Sequence, residues 1–453
     1  MPNGRLRIDV VSGFSRTVMA MCAFFASVES FAVAQDAPVV RLTIEEAQSR
    51  ALAASHRLAE ARAREAAAKA FVAVRGSAGL PSVAAVAGYT RTNHVLEFSV
   101  PSATGVPRVL YPDVPSNYHS RLDLQWPIYT GGQTDALERA AQAEASAVGA
   151  EVSVAQSDLR LEVARAFWAV VTAKAAVDVL QQGMARSQAH VADVKQRFDV
   201  GLVPPNEIAS AEAQESRARM LAIEARNQRY VASAELARLV GLEPGQTVEP
   251  AGALDGPGDT AIAVEPLLAE ARTSRRERHA LEQRVEAADQ MRVAASAGRL
   301  PAVSIVGGVD YARPNPRIFP RADRWEDSWD AGINVRWSLW DGGRTAANVA
   351  QAAGGAEAAR QRLAEFDSIL TVDVRQRALD VSSSRAAITA ANDGVRAATE
   401  ARRVVAERYR AGVIPQIEVL DAEFVLLQAE LDRTRALASL RVAEARLARA
   451  VGR

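Results

Sequence analysis

The sequence predicts a mainly α-helical chain that carries four β-strands, built by tandem duplication around long antiparallel coiled-coil helices. Three observations predict it. First, RFDVGLVPPNEIASAE at 197–212 and RYRAGVIPQIEVLDAE at 408–423 superpose at a constant offset of 211 positions, setting Arg197 on Arg408, Gly201 on Gly412, Pro204 on Pro415 and Glu207 on Glu418. Second, each copy runs about 67 residues without proline before that motif, which as helix is roughly 100 Å. Third, in each copy a Pro-punctuated segment ahead of that long run alternates apolar and polar residues, the period of a half-buried strand.

In chain order, residues 1–34 read as a cleaved signal peptide. Arg5, Arg7 and Arg16 make a basic start, Val18 to Val28 a short apolar run, and Ala32-Val33-Ala34 a small-residue cleavage site. The apolar run is short of the ~20 residues of a spanning helix. The single cysteine, Cys22, lies inside this segment with no lipoprotein box before it. The expected mature chain is therefore exported, has no thiol and no lipid anchor, and excludes a disulfide scaffold.

The first repeat spans 35–240. Leu42 to about Gly79 reads as one helix with Thr43 as N-cap, ended by Leu80-Pro81. A β-hairpin is expected over 82–129. In YHSRLDLQWPIY, Tyr118, Leu122, Leu124, Trp126 and Ile128 share one face, while His119, Arg121, Asp123 and Gln125 share the other. The hairpin leaves through Gly131-Gly132 into a long helix, 133–200, then a tip turn, 201–206, and a helix, 207–240.

A Gly/Pro-rich linker at 241–266 leads to the second repeat, 267–453. A helix ends at Leu300-Pro301, a hairpin over 302–340 exits through Gly342-Gly343, and a long helix (344–410), a tip (411–416) and a helix (417–451) follow. Val163, Val170, Val177, Met184, Val191 and Phe198 recur every seven residues, as do Val374, Val381, Ile388, Val395, Arg402 and Tyr409. That period predicts left-handed supercoiling. Gly201, Pro204, Gly412 and Pro415 need only be turn residues.

Four strands with one apolar face have the length of tilted membrane strands. Ten of the 13 Trp and Tyr fall in the two β regions, as an interfacial aromatic girdle requires. Four strands cannot close a barrel, whereas three chains give twelve. Other chemistry finds no foothold. Lys+Arg and Asp+Glu number 54 each, which leaves no electrostatic footprint for nucleic acid. The five His are scattered, with no zinc-protease, esterase or phosphate-loop motif. No enzyme activity, cofactor or metal is expected.

The order of Trp126-Pro127-Ile128-Tyr129-Thr130-Gly131-Gly132, Trp337-Ser338-Leu339-Trp340-Asp341-Gly342-Gly343 and the two tip motifs resembles the TolC-type outer-membrane efflux proteins over essentially all of the mature chain. The resemblance implies a homotrimer with a twelve-stranded barrel in outer-membrane lipid and a twelve-helix periplasmic tunnel. It implies a passive exit duct of a tripartite efflux or type I secretion system, docked onto a periplasmic adaptor and driven by an inner-membrane pump. On it, Glu418 and Asp421 match the acidic aperture. Gly201, Leu202, Pro204, Glu207, Tyr409, Gly412, Val413 and Pro415 match the tip and its adaptor-facing turns, and Pro81, Gly131, Gly132, Pro301, Gly342 and Gly343 the strand-to-helix transitions. Ile414 stands where some relatives carry a basic residue that holds the tip shut. The competing reading is a soluble periplasmic coiled-coil scaffold.

Overall fold

The structure, a computed structural model, describes residues 39–103, 105–243, 245–254 and 263–453. The expected signal peptide lies outside the described residues, as do position 244 and positions 255–262 of the linker. The elements run β1 (Val39–Leu42), α1 (Ile44–Ala54), α2 (His56–Ser77), β2 (Ser82–Arg91), β3 (Phe98–Val100), β4 (Arg108–Tyr111), β5 (Ser116–Tyr129), α3 (Gln133–Asp199), α4 (Pro205–Leu239) and β6 (Thr247–Pro250). After the linker come α5 (Val264–Ser274), α6 (Arg276–Ser296), a short 3-10 turn (Ala297–Arg299), β7 (Ala302–Arg313), β8 (Glu326–Arg336), α7 (Arg344–Arg410) and α8 (Gln416–Val451).

The two long helices, α3 and α7, have 67 residues each. Neither could stand alone at that length, and both are supported along it. Helix α3 packs on α4 towards the tip and on α2 and α6 towards the sheet, while α7 packs on α8 and α6. The heptad positions face these partners: Val163, Val170, Val177 and Val191, and Val374, Val381 and Ile388, are buried. The first series fails at its end, where Phe198 is exposed, whereas Tyr409 at the end of the second is buried. Near the sheet α3 buries alanines instead, among them Ala136, Ala140, Ala143, Ala147 and Ala150, which lets neighbouring backbones approach closely.

The helix expected over 42–79 is interrupted. Thr43 caps α1 through a reciprocal capping box with Glu46. Ser55 then leaves helical geometry (φ −71°, ψ 114°) and caps α2 by accepting from the Leu58 N–H. Ser competes for local backbone hydrogen bonds in this way. The second repeat breaks at Arg275, with φ −68° and ψ 116°. There the guanidinium donates to the Arg449 and Ala450 carbonyls at the end of α8, satisfying two of its orphan acceptors.

Where four strands were expected, the main sheet has four, in the order β2-β5-β7-β8, and every pairing is antiparallel. Four further short strands form two ribbons. β3 and β4 pair within the β2–β5 loop, and β1 pairs in parallel with β6 of the linker. The second strand of the hairpin expected over 302–340 stops at Arg336. Its partner β7 begins at Ala302, and Pro301 has no N–H with which to extend the ladder. Trp337, Leu339 and Trp340 are therefore outside the strand, and all three are exposed.

Among the described residues no helix is long and apolar enough to cross a membrane.

Candidate functional site: the two-faced sheet and the paired helix tips

Register sorts the sheet residues into two faces. Val83, Leu122, Leu124, Trp126, Ile305, Val309, Trp329, Ile333 and Val335 fall on one by the pairings Val83↔Leu124, Leu122↔Val309, Trp126↔Ile305, Val309↔Trp329 and Ile305↔Ile333. Most of this face is exposed, up to 74% for Trp329. An apolar surface of that extent on one face calls for an apolar environment. Tyr89, Tyr118, Tyr311 and Trp325 stack at its loop end with ring centroids 4.9–5.8 Å apart. The opposite face carries Arg121, which pairs with Asp123, Asp310 and Asp330 on three different strands.

The sheet passes into the helices through paired glycines with positive φ: Gly131 and Gly132 at 65° and 82°, Gly342 and Gly343 at 68° and 88°. Their surroundings differ. Asp341 accepts from the Gly343 and Thr345 N–H groups and caps α7, where the first repeat offers only Thr130 to the Thr134 N–H. Trp337 Nε1 donates to the Arg299 carbonyl. Pro81 and Pro301 directly precede β2 and β7.

At the far end both tips use one backbone solution. Gly201 and Gly412 have φ 74°. The Leu202 N–H bonds the Arg197 carbonyl at 2.9 Å, and the Val413 N–H the Arg408 carbonyl at 3.0 Å, closing each long helix in a Schellman motif. Pro204 and Pro415 begin the return helices, which sets Glu207 and Glu418 at the third helical position, where a carboxylate favours the helix dipole. Leu202 and Val413 are exposed apolar tips. Glu418 and Asp421 are exposed on α8.

The structure brings the two tips together through Tyr409 and Glu207, which the sequence reading placed at the tips, and through Gln416 and His190, which it did not single out. Tyr409 is buried against Ile414 and Val419, and its hydroxyl donates to Glu207 at 3.4 Å. The Arg197 guanidinium lies 4.6 Å from the Tyr409 ring. Gln416, 4% exposed, donates to the Glu207 carbonyl at 3.1 Å and meets His190 Nε2 at 3.3 Å. Farther up, Arg186 of α3 holds Glu423 and Glu430 of α8. Ile414 thus contributes packing, and the polar tie between tips passes to Gln416. The repeat alignment held one signal for this: Gln416 falls on Pro205, a hydrogen-bonding side chain against one that cannot bond.

Burial pushes the His190 imidazole below its ordinary pKa; Asp193, Glu423 and Glu207 pull it up and Arg197 pushes it down, and the net shift is downward. Burial raises the Tyr409 phenol, with Glu207 and Asp193 adding to the rise against Arg197.

Among the described residues no grouping of His, Cys, Asp and Glu could hold a metal ion.

A membrane-type sheet set on helices of roughly 100 Å is the architecture of an outer-membrane duct. The chain belongs to the outer membrane efflux protein family, whose model matches residues 47–242 and 267–453. It is 24% identical to the outer membrane protein TolC of Vibrio cholerae over 313 residues, 69% of this chain and 72% of that one. It is 27% identical to the protein CyaE of Bordetella pertussis over 336 residues, 71% of this chain and 69% of that one. The fold superposes on the outer membrane protein VceC of Vibrio cholerae with a TM-score of 0.76 at 21% identity, covering 90% of this chain and 96% of the other.

Proposed function

We propose that three copies of this chain form a passive exit duct, with a twelve-stranded barrel in the outer membrane continuing into a periplasmic helical tunnel. The observation that carries this reading is the four-stranded sheet with an exposed apolar face and two unpaired edges, β2 and β8. Open edges are not tolerated in lipid, and four strands cannot close on themselves. Strand directions alternate across β2-β5-β7-β8, so β8 of one copy meets β2 of the next antiparallel. Three copies then give an even strand number wide enough for a pore.

On this reading the apolar face meets lipid and the Arg121 face lines the lumen. The paired tips form the periplasmic mouth, and Leu202 and Val413 are the contacts offered to an adaptor bridging to an inner-membrane pump, which supplies the energy. Glu418 and Asp421 would ring the aperture as six carboxylates. A leader over 1–34, removed after export, fits that destination.

The deciding experiment is membrane fractionation on a sucrose gradient followed by crosslinking. A detergent-requiring trimer in the outer-membrane fraction is expected. Recovery as a soluble periplasmic protein would replace the duct with a coiled-coil scaffold.

A further inference from the structure

The loop joining β7 to β8, residues 314–325, sits at the end of the sheet away from the helices, and it folds back over the polar face. Three side chains fasten it there. Asn315, 1% exposed, donates to the Glu326 carbonyl and the Ser328 hydroxyl, both at 3.0 Å, and accepts from the Arg317 N–H at 2.9 Å. The Arg317 guanidinium lies 2.7 Å from Asp330 and 3.7 Å from Asp310. Arg321 donates to the Tyr111 hydroxyl at 2.6 Å and to Asn117 at 3.3 Å.

Register shows which side this is. Asp310 pairs with Ser328 and Arg121, and Gly308 with Asp330 and Asp123, so the Asn315 and Arg317 anchors fall on the polar face. Ala312 of that face is 2% exposed, covered where an open strand would leave it bare.

The strands are shaped to receive the loop. A Cβ added at Gly308 would lie 2.6 Å from Arg121 Nη2 and 2.7 Å from the Leu122 carbonyl oxygen. The missing side chain lets Arg121 cross β7 and reach Asp330 on β8 at 2.9 Å. Asp330 therefore holds Arg121 and Arg317 together. A lone exposed ion pair contributes little, whereas a network of several partly buried charges holds its members in one geometry.

We infer that this loop is a fixed collar that narrows the outer mouth of the duct and excludes bulky solutes by size, with Arg317–Asp330 as its clasp. The inference rests on the trimeric-barrel reading. Size rather than charge is the selected property because Arg121, Arg317 and Arg321 balance Asp123, Asp310 and Asp330 around the constriction.

The test uses Asn334→Cys, an exposed position on the same face nearer the helices, in a Cys22→Ser chain expressed in intact cells. A small membrane-impermeant maleimide and a bulky polymer-linked maleimide are added outside. With the natural loop, the small reagent should label and the bulky one should not. Arg317→Ala, or replacement of 316–321 by a short Gly-Ser link, should raise bulky labelling about tenfold or more, and Arg317→Lys should stay near the natural loop. Equal bulky labelling with and without the natural loop would overturn the collar and leave the duct standing. Bulky exclusion persisting after loop replacement would overturn it too. Labelling by the small reagent only after the cells are broken would overturn the outward-opening duct itself.

Discussion

Gln416 Nε2 donates to the Glu207 carbonyl at 3.1 Å, tying the first turn of α8 to the first turn of α4 and so one helix tip to the other. The amide is buried in a part of the chain that is otherwise exposed at its turns. Losing a buried hydrogen bond and stranding its partner costs about 1–3 kcal/mol. Gln416→Ala should loosen the tips without lowering the melting temperature of the whole chain. Trypsin cleavage at the exposed Arg408 and Arg410 should accelerate about five- to tenfold. A cleavage rate equal to that of the natural chain would remove Gln416 from the latch.

The same amide makes the latch sensitive to acid. His190 can accept from Gln416 only while Nε2 is unprotonated, and burial holds its pKa below the ordinary 6.5. For a base whose folded pKa is depressed, the unfolded or undocked form binds the proton more readily, so docking is strongest above that ordinary value and weakens as pH falls through it. Asp193, Glu207 and Glu423 oppose the shift and Arg197 supports it. Tip opening, read as single-channel conductance from about pH 8 to about pH 5, should rise on acidification. His190→Gln, which carries no proton to gain, should flatten that profile; an identical profile in the variant would place the pH response elsewhere.

Gly131 and Gly342 occupy equivalent positions with nearly equal φ, 65° and 68°, yet they are not equally replaceable. Either alanine costs about 1–2 kcal/mol for left-handed backbone. At Gly131 a Cβ would also lie 2.8 Å from Leu300 Cβ and 3.1 Å from the Ala297 carbonyl oxygen, whereas at Gly342 it meets nothing within 4 Å. Overpacking adds about 1–3 kcal/mol. Thermal unfolding should therefore show Gly131→Ala clearly less stable than Gly342→Ala, and equal losses would contradict the packing described.

Glu418 and Asp421 are exposed one turn beyond Pro415, free to face a pore axis. Replacing both with Ala should move the reversal potential under a salt gradient towards zero in planar bilayers, as cation preference weakens. Potentials that do not move would make the pair a solvated helix start.

Much of this was legible in the chain because its signals are local. Period two at 118–128, period seven from Val163 to Val191, and Gly followed by Pro at each tip each act within a few residues. The Ser55 break was missed because helix propensity on both sides of it is high, and the cap that decides the matter is a single hydroxyl. The contacts of Gln416 with Glu207 and His190, and of Arg317 with Asp330, were out of reach for another reason. They join positions that only the folded arrangement of helices or strands brings side by side, and no spacing rule encodes them.

The parallel ribbon of β1 with β6 pairs Val39 with Thr247 and Leu42 with Pro250, and it governs the order in which the chain can be completed. A chain delivered from its N-terminus has no partner for β1 until some two hundred residues later. Closing so long a loop is slow compared with forming helices and hairpins. The first half thus builds its hairpin and coiled coil with its leading strand unpaired, and β6 fastens that strand on the way to the second half. A stop or cleavage before Thr247 would leave a helical half-molecule whose leading strand has no partner.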